Sequence, residues 1–429
     1  MSIMKHFLIL ISCLLLLISC SKDEAGSSSV KVRRTVLVFI SGENNLSPFV
    51  ENDLKELATG RRQVGQDEDL IVFVDKASST EKPFIGRITT STKQPIDTLF
   101  TFDKDFYSSD PTQFRQILQW VVNNCPATED YGLVLWGHAN GWFIREELSA
   151  NSRRAYGMDY GTDESSTNKE LWLNIPTIRQ VCEQIGIKWK FIFCDCCSMQ
   201  CAEVAYELRN VCDYFIASPS EISGLGAPYD VIVKDFFMHN DQQMYTAICD
   251  DYYDQVTHEL RTSTDEHLPI SVVKTHDGSR DNMQALADST RKLLPLITAN
   301  LGMPRDDFER GFIYYYRQLF IYNGRYEYRD DEIVCYDMRD VIQTALKEHP
   351  QAFNNWLKAF NQAVVYSRKS AFWHGLSITF SDFDYSEERQ GVMSMFFPLG
   401  KYSRTKYPYN DDIKKMAWYQ AVGWSELGW

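Results

Sequence analysis

The sequence predicts an α/β fold with a mainly parallel central sheet covered by helices on both faces. Short apolar, β-branched runs recur through the first half of the chain and read as buried parallel strands. Amphipathic helical segments alternate with them, which is the pattern of such a sheet. The 429 residues, 44% of them hydrophobic, hold enough apolar material for a large core.

The first strand is Thr35-Val-Leu-Val-Phe-Ile40, bounded by Ser41-Gly42. A helix is expected from Leu46 to Leu57, then a strand over Asp69–Asp75. Ile88 to Phe102 reads as less regular strand and turn. Phe114, Ile117, Leu118 and Val121 share one face of a helix over Pro111–Asn124. A third strand covers Tyr131–Trp136, and a helix Ile175–Ile185. A fourth strand covers Lys190–Cys194, a helix Met199–Arg209, and a fifth strand Tyr214–Ala217. From about Gln242 the chain is mostly helical, with strand-like text at Leu268–Val273 and His374–Phe380. Arg325–Asp340 is charge-rich and reads as a loop. The domain expectation is a leader over 1–19, a tether over 20–33, a core over 34–240, and an extension over 241–429 on the same sheet.

Net charge is −14, which excludes nonspecific nucleic-acid binding and is compatible with a cationic substrate. The 11 Cys have no regular spacing and form no disulfide framework. Lys5 followed by the apolar run Phe7–Ile18 forms a secretory leader too short for a membrane span. Leu17-Ile18-Ser19-Cys20 resembles a bacterial lipobox, which would make Cys20 the acylated mature N-terminus. Each buried acyl CH₂ is worth about 0.8 kcal/mol, so several chains anchor firmly. The small polar stretch after Cys20 is a flexible tether. Its acidic start resembles a surface-export signal. The expected location is the cell envelope, lipid-anchored at the outer membrane; the sequence leaves open which membrane face it occupies, surface exposure being one of the two.

Ligands of parallel sheets bind outside the carboxyl ends of the strands, and two reactive residues fall there. His138 follows Val134-Leu-Trp-Gly. Cys197 follows Phe191-Ile-Phe-Cys-Asp195-Cys196 and precedes an expected helix. A thiol at a helix N-terminus has a lowered pKa, and a nearby His can relay its proton. Adjacent parallel strands would bring the two together. Taken alone, His138 would more often be a structural histidine. Cys194, Cys196, Cys197 and Cys201 do not match a zinc spacing, so no metal ligand is expected.

These residues carry a family resemblance. Asp195-Cys-Cys197-Ser-Met199, followed by Glu203-Val-Ala-Tyr-Glu-Leu208, is similar to the Cys motif of the clostripain-like cysteine peptidases. These belong to the clan of caspases and gingipains. The segments Thr35–Phe39 with Asn44-Asn45-Leu46, Trp136–Trp142, and Tyr214–Ser218 add to the likeness. It runs from about residue 34 almost to the C-terminus. The resemblance implies a caspase-like α-β-α sandwich with a C-terminal α/β extension. It implies an endopeptidase acting on polypeptides, with Cys197 as nucleophile and His138 as general acid/base. The N–H groups of Ala139 and Cys197 would hold the oxyanion. Asp195 would select Arg or Lys before the scissile bond, with Glu221 as a displaced second acid; Asp195 reads equally as a helix N-cap. Self-cleavage would fall near Arg153-Arg154, and an uncut surface loop is the equal alternative there. No cofactor is required; Ca²⁺ dependence occurs in some relatives, and nothing in the sequence calls for it.

Two departures stand out. Relatives carry His-Gly-Gly-Gly-Trp where this chain has His138-Ala-Asn-Gly-Trp142. Ala139 keeps its N–H but tolerates positive φ poorly, so the oxyanion loop is expected to differ. The acid-rich step after the fifth strand is reduced to Ser218-Pro-Ser-Glu221. The rival reading is a surface lipoprotein that kept the fold, lost turnover, and binds peptides or envelope proteins.

Overall fold

Strand β1 (Arg34–Gly42) is buried along its whole length, and so is all but the last residue of β2 (Glu68–Lys76). Such strands need partners on both edges and layers on both faces. The computed structural model of the protein describes residues 31–78, 80–144, 155–161, 170–260, 268–303, 312–316, 319–322, 325–328, 335–369, 388–403 and 408–429. The expected leader, Cys20, Arg153, Arg154 and the strand-like text at 374–380 lie outside the described residues.

The other strands of the first two-thirds are β3 (Phe84–Ile88), β4 (Ile96–Thr101), β5 (Asp130–Gly137), β6 (Tyr156–Asp159), β7 (Leu171–Leu173), β8 (Trp189–Asp195), β9 (Cys212–Ala217) and β10 (Ile270–Lys274). Among the described residues nine strands form the main sheet, in the order Val364–Arg368, β10, β9, β8, β5, β1, β2, β3, β4. The pairs β9–β8, β8–β5, β5–β1 and β1–β2 are parallel; the outer pairs are antiparallel. β6 and β7 form a separate hairpin. Helices Ser47–Arg61, Tyr229–Phe236 and Asp241–Leu260 pack together as one layer, and Pro111–Asn124, Ile175–Ile185 and Ala202–Leu208 as the other. Phe39 of β1 meets Phe114 of one layer at 4.9 Å. Phe191 of β8 meets Phe236 of the other at 5.5 Å. This is the expected α-β-α sandwich.

The structure differs from the sequence reading in three places. Phe84–Thr101 is a regular antiparallel hairpin at the sheet edge; its outer strand β4 has no buried residue, so its apolar signal is weak. Helix Ala202–Leu208 is shorter than Met199–Arg209. Ser198 has φ 59°, and the N–H groups of Ser198 and Gln200 bond Ser220 and Ser218 carbonyls, so this backbone pairs with a loop before it can coil. Arg325–Asp340 includes strands Arg325–Tyr328 and Cys335–Asp337 and the start of helix Met338–Ala345.

The C-terminal segment packs directly behind the loop that carries Cys197. Ser394 N–H donates to the Gln200 carbonyl at 3.0 Å, and Phe396 N–H to Glu203 Oε1 at 2.9 Å. Glu203 is wholly buried, and its other oxygen has no hydrogen-bond partner. Desolvation pushes its carboxyl up to about 7 against the hydrogen bonds that lower it. A carboxyl raised from 4.5 stabilises the fold below that value and loses the contribution as pH rises through about 7. The loss is on the order of 3 kcal/mol. Glu203→Gln is therefore expected to gain in melting temperature over wild type as pH rises from about 5 to 8. Parallel melting curves across that range would refute this.

Candidate active site

The register between β5 and β8 pairs Trp136 with Asp195, so the two strands end level. His138 follows one residue past the end of β5, and Cys197 two past the end of β8. The loops that carry them touch. Gly141 has φ 66°, and a Cβ there would lie 2.7 Å from the Ser198 carbonyl oxygen and 3.6 Å from Cys201 Sγ. Gly137, at φ 142°, would press a Cβ to 2.8 Å from the Ser41 carbonyl oxygen. The loop thus keeps glycine at the two places where backbone closeness and positive φ require it. Ala139 does not have positive φ. The expected distortion from replacing glycine there is absent, and Ala139 forms a bridge to Tyr156 of β6.

His138 is held from both sides. Its Nε2 lies 2.7 Å from Asn45 Oδ1, and its carbonyl accepts the Gly157 N–H at 2.8 Å. Because Asn45 Oδ1 is an acceptor, Nε2 carries the proton, which leaves Nδ1 as the basic nitrogen. Asn44 anchors the same loop by donating to the Ser41 and Met158 carbonyls. Asn45 is a site residue whose role the sequence did not reveal. It is 93 positions from His138 and arrives there because β1 lies beside β5.

Cys197 is the one partly exposed residue among the nine free cysteines described; the other eight are buried. Its Sγ accepts the Ile222 N–H at 3.4 Å. The thiol is pushed up to about 12, first by desolvation and then by the charge of Glu221; the Ile222 N–H acts against them. This overturns the expected helix-terminus activation. The helix begins at Ala202, five residues on, and is not positioned to lower the pKa. With its pKa raised in this way, Cys197 rests as a thiol at neutral pH.

Asp195 is buried. Its Oδ2 accepts the Ala227 N–H at 2.9 Å and the Tyr229 hydroxyl at 2.8 Å, while Oδ1 has no hydrogen-bond partner. Desolvation raises its carboxyl to about 6, with those two donors lowering it. Asp195 does not cap a helix; position Cys201 does, without a side-chain bond. Glu221 acts on the Cys197 thiol. An acid near Asp195 that the sequence did not point to is Asp53, from helix Ser47–Arg61. A Cβ at Gly226 (φ 71°) would stand 2.9 Å from Asp195 Oδ2 and 3.4 Å from Asp53 Oδ2. Asp53 had no signal in the sequence because a helical Asp ordinarily faces solvent.

The rings that follow His138 tie both loops to the C-terminal segment. Trp142 meets Phe396 at 4.8 Å, and Phe143 meets Tyr409 at 5.2 Å. A parallel sheet carrying a His and a Cys at adjacent strand ends, with an acid beneath them, defines a caspase-like cysteine hydrolase site. The sequence model of the clostripain family matches residues 38–429, and the chain belongs to that family of cysteine peptidases. Clostripain of Hathewaya histolytica is 23% identical over 223 residues, 46% of this chain and 41% of that protein. The match therefore spans less than half of clostripain's length. A secreted C11 cysteine protease from Bacteroides thetaiotaomicron, solved with an irreversible peptide inhibitor, is 25% identical with a TM-score of 0.69. The alignment covers 92% of this chain and 99% of that one. An inactive zymogen C11 protease from Parabacteroides distasonis is 23% identical with a TM-score of 0.66, over 91% and 98% of the two chains.

The electrostatics give a test. Glu221→Gln removes a negative charge that holds the thiol proton, so alkylation of Cys197 by iodoacetamide at neutral pH is expected to quicken several-fold. An unchanged or slower rate would contradict the assignment.

Proposed function

We propose that this protein is a cysteine endopeptidase that uses Cys197 and His138 and cleaves polypeptides after Arg or Lys. The observation that carries this reading is the meeting of the two strand-end loops, with Gly141 packed on the carbonyl of the residue after Cys197. On substrate binding, Nδ1 of His138 takes the thiol proton as Sγ attacks the scissile carbonyl. The raised thiol pKa favours this concerted transfer over a standing ion pair. The N–H groups of Cys197 and Ala139 face the developing oxyanion. His138 then protonates the leaving amine, and water, activated by the same imidazole, hydrolyses the thioester. Asn45 keeps the imidazole in the required tautomer.

Asp195 supplies the specificity. Its unpartnered Oδ1 offers a buried carboxylate oxygen to a guanidinium or ammonium group, and Asp53 adds a second negative charge near it. Maturation by cleavage near Arg153-Arg154 belongs to the same specificity. The leader over 1–19 and acylation at Cys20 would fix the enzyme to the outer membrane, with the core over 34–240 and the extension over 241–429 beyond the tether. Among the described residues no helix is long and apolar enough to cross a membrane.

The test is a panel of fluorogenic peptides varied at the residue before the cleaved bond. Wild type is expected to cleave after Arg and Lys, and Cys197→Ala to lose turnover. Asp195→Asn is expected to lose kcat/KM for Arg by on the order of 10- to 100-fold. Wild-type KM for Arg peptides should rise as pH falls through about 6, where Asp195 gains its proton. Cleavage that survives Cys197→Ala would overturn the mechanism. Cleavage after other residues would overturn the pocket, and no cleavage by wild type would favour a peptide-binding lipoprotein.

A further inference from the structure

A polar cleft of about 510 Å³ opens at the carboxyl edge of the sheet, beyond the ends of β1 and β2. Asn44 and Asn45 form its wall after β1, and Glu51 of helix Ser47–Arg61 stands opposite. Lys76, the last residue of β2, and Ser78 and Glu81 after it close the cleft. His138, Cys197, Asp195 and Asp53 do not line it.

The position of the cleft relative to the dyad follows from strand order. Along the edge the strands run β8, β5, β1, β2, which sets out Cys197, His138, Asn45 and Lys76 in that order. Asp195 ends β8, and its partners Ala227 and Tyr229 follow β9, on the other side of β5 from the cleft. A substrate whose side chain before the scissile bond reaches Asp195 therefore has its acyl half over β8. The departing amine takes its proton from His138, so the leaving half starts over β5 and runs toward β1 and β2. Neighbouring strands are about 4.8 Å apart, which puts the cleft roughly 7 Å beyond the end of β5. About two residues of extended chain cover that distance.

The charges of the cleft are layered. Lys76 Nζ pairs with both Glu51 Oε1 and Glu81 Oε2. The lysine side chain is 17% exposed, and the two glutamates are 58% and 59% exposed. The one cation thus lies at the floor, and two carboxylates form the rim, each with a second oxygen to offer. Two negative charges against one positive favour a cationic occupant and repel an acidic one.

We infer that this cleft is a leaving-side subsite, which takes the Arg or Lys side chain of the second residue after the scissile bond. The inference rests on the peptidase reading of Cys197 and His138 and deepens it, giving the substrate a cation on each side of the cleaved bond. Asn45 joins the cleft to the dyad, because it lines the one and holds His138 Nε2 of the other at 2.7 Å. Contacts in the cleft last only until the amine departs. They act on formation of the thioester and not on its hydrolysis.

The full-length protein is tested with two kinds of substrate. A peptidyl aminomethylcoumarin, ending in the residue that the enzyme cleaves after best, has no residue beyond the bond and reads the peptidase alone. Internally quenched peptides with the same acyl half carry Lys, Ala or Glu at the second leaving-side position. Wild type is expected to show kcat/KM roughly 3- to 5-fold higher for Lys than for Ala, with Glu lower still. Glu51→Gln combined with Glu81→Gln should abolish the preference for Lys. Lys76→Met, which uncovers both carboxylates, should enlarge it. Each ratio compares substrates within one protein, so a smaller folded fraction does not alter it. Hydrolysis of the coumarin substrate with equal kcat/KM for the Lys, Ala and Glu peptides would overturn the subsite and leave the peptidase reading standing. A preference for Lys that the double variant retains would also overturn the subsite. Hydrolysis of neither kind of substrate by wild type would remove the peptidase reading, and the subsite with it.

Discussion

The parallel pairing of β1, β5 and β8 is the constraint on which the site depends. Strands that run the same way end on the same edge, so residues just past their ends are neighbours although 59 positions separate His138 from Cys197. The pairing also brings the β1 loop to the same edge, and with it Asn45. Two glycines then let backbone meet backbone: Gly137 against Ser41 and Gly141 against Ser198. Ser198 itself bears a left-handed φ of 59° with a buried hydroxyl, a local strain that the ladder to Ser218 and Ser220 holds in place. Cys197 directly precedes this strained residue.

The second theme is buried acid. Asp195, Glu203, Glu43, Asp75 and Asp159 all lie beneath or beside the catalytic edge, and all are raised above their ordinary values by desolvation first. A protein accepts such groups where each has a task or a counter-charge. Glu203 ties the helix after the nucleophile to the C-terminal segment. In the proposed function, Asp195 is the acid that would meet a cationic side chain of the substrate.

Much of this was legible in the sequence. Runs such as Val36–Ile40 and Phe191–Phe193 are apolar because both faces of the strand are covered, and that continuity marked the sheet. His138 and Cys197 were legible because each directly follows such a run. The same logic failed where burial was one-sided or absent, as in β4. Asn45, Asp53 and the buried acids Glu43, Asp75 and Asp159 were not legible, because their placing comes from contacts between elements far apart in sequence. Asp75 reads as the polar stop of a strand, and only the fold sets it beside Glu43 and Asp159. Glu221, expected as a displaced second pocket acid, also acts on the thiol, since the loop after β9 crosses over Cys197 at Ile222. The thiol's raised pKa was missed for a related reason. The short helix starts five residues late, and burial outweighs it.

The central claim is that Cys197 attacks under the control of His138. The most direct measurement is intact-protein and peptide-map mass spectrometry after treatment with an irreversible peptidyl inhibitor carrying Lys or Arg at the reactive ketone. A single adduct on Cys197, lost in His138→Ala although the thiol is still present, is the predicted result. Labelling of another of the cysteines, or equal labelling of Cys197 without His138, would contradict the account.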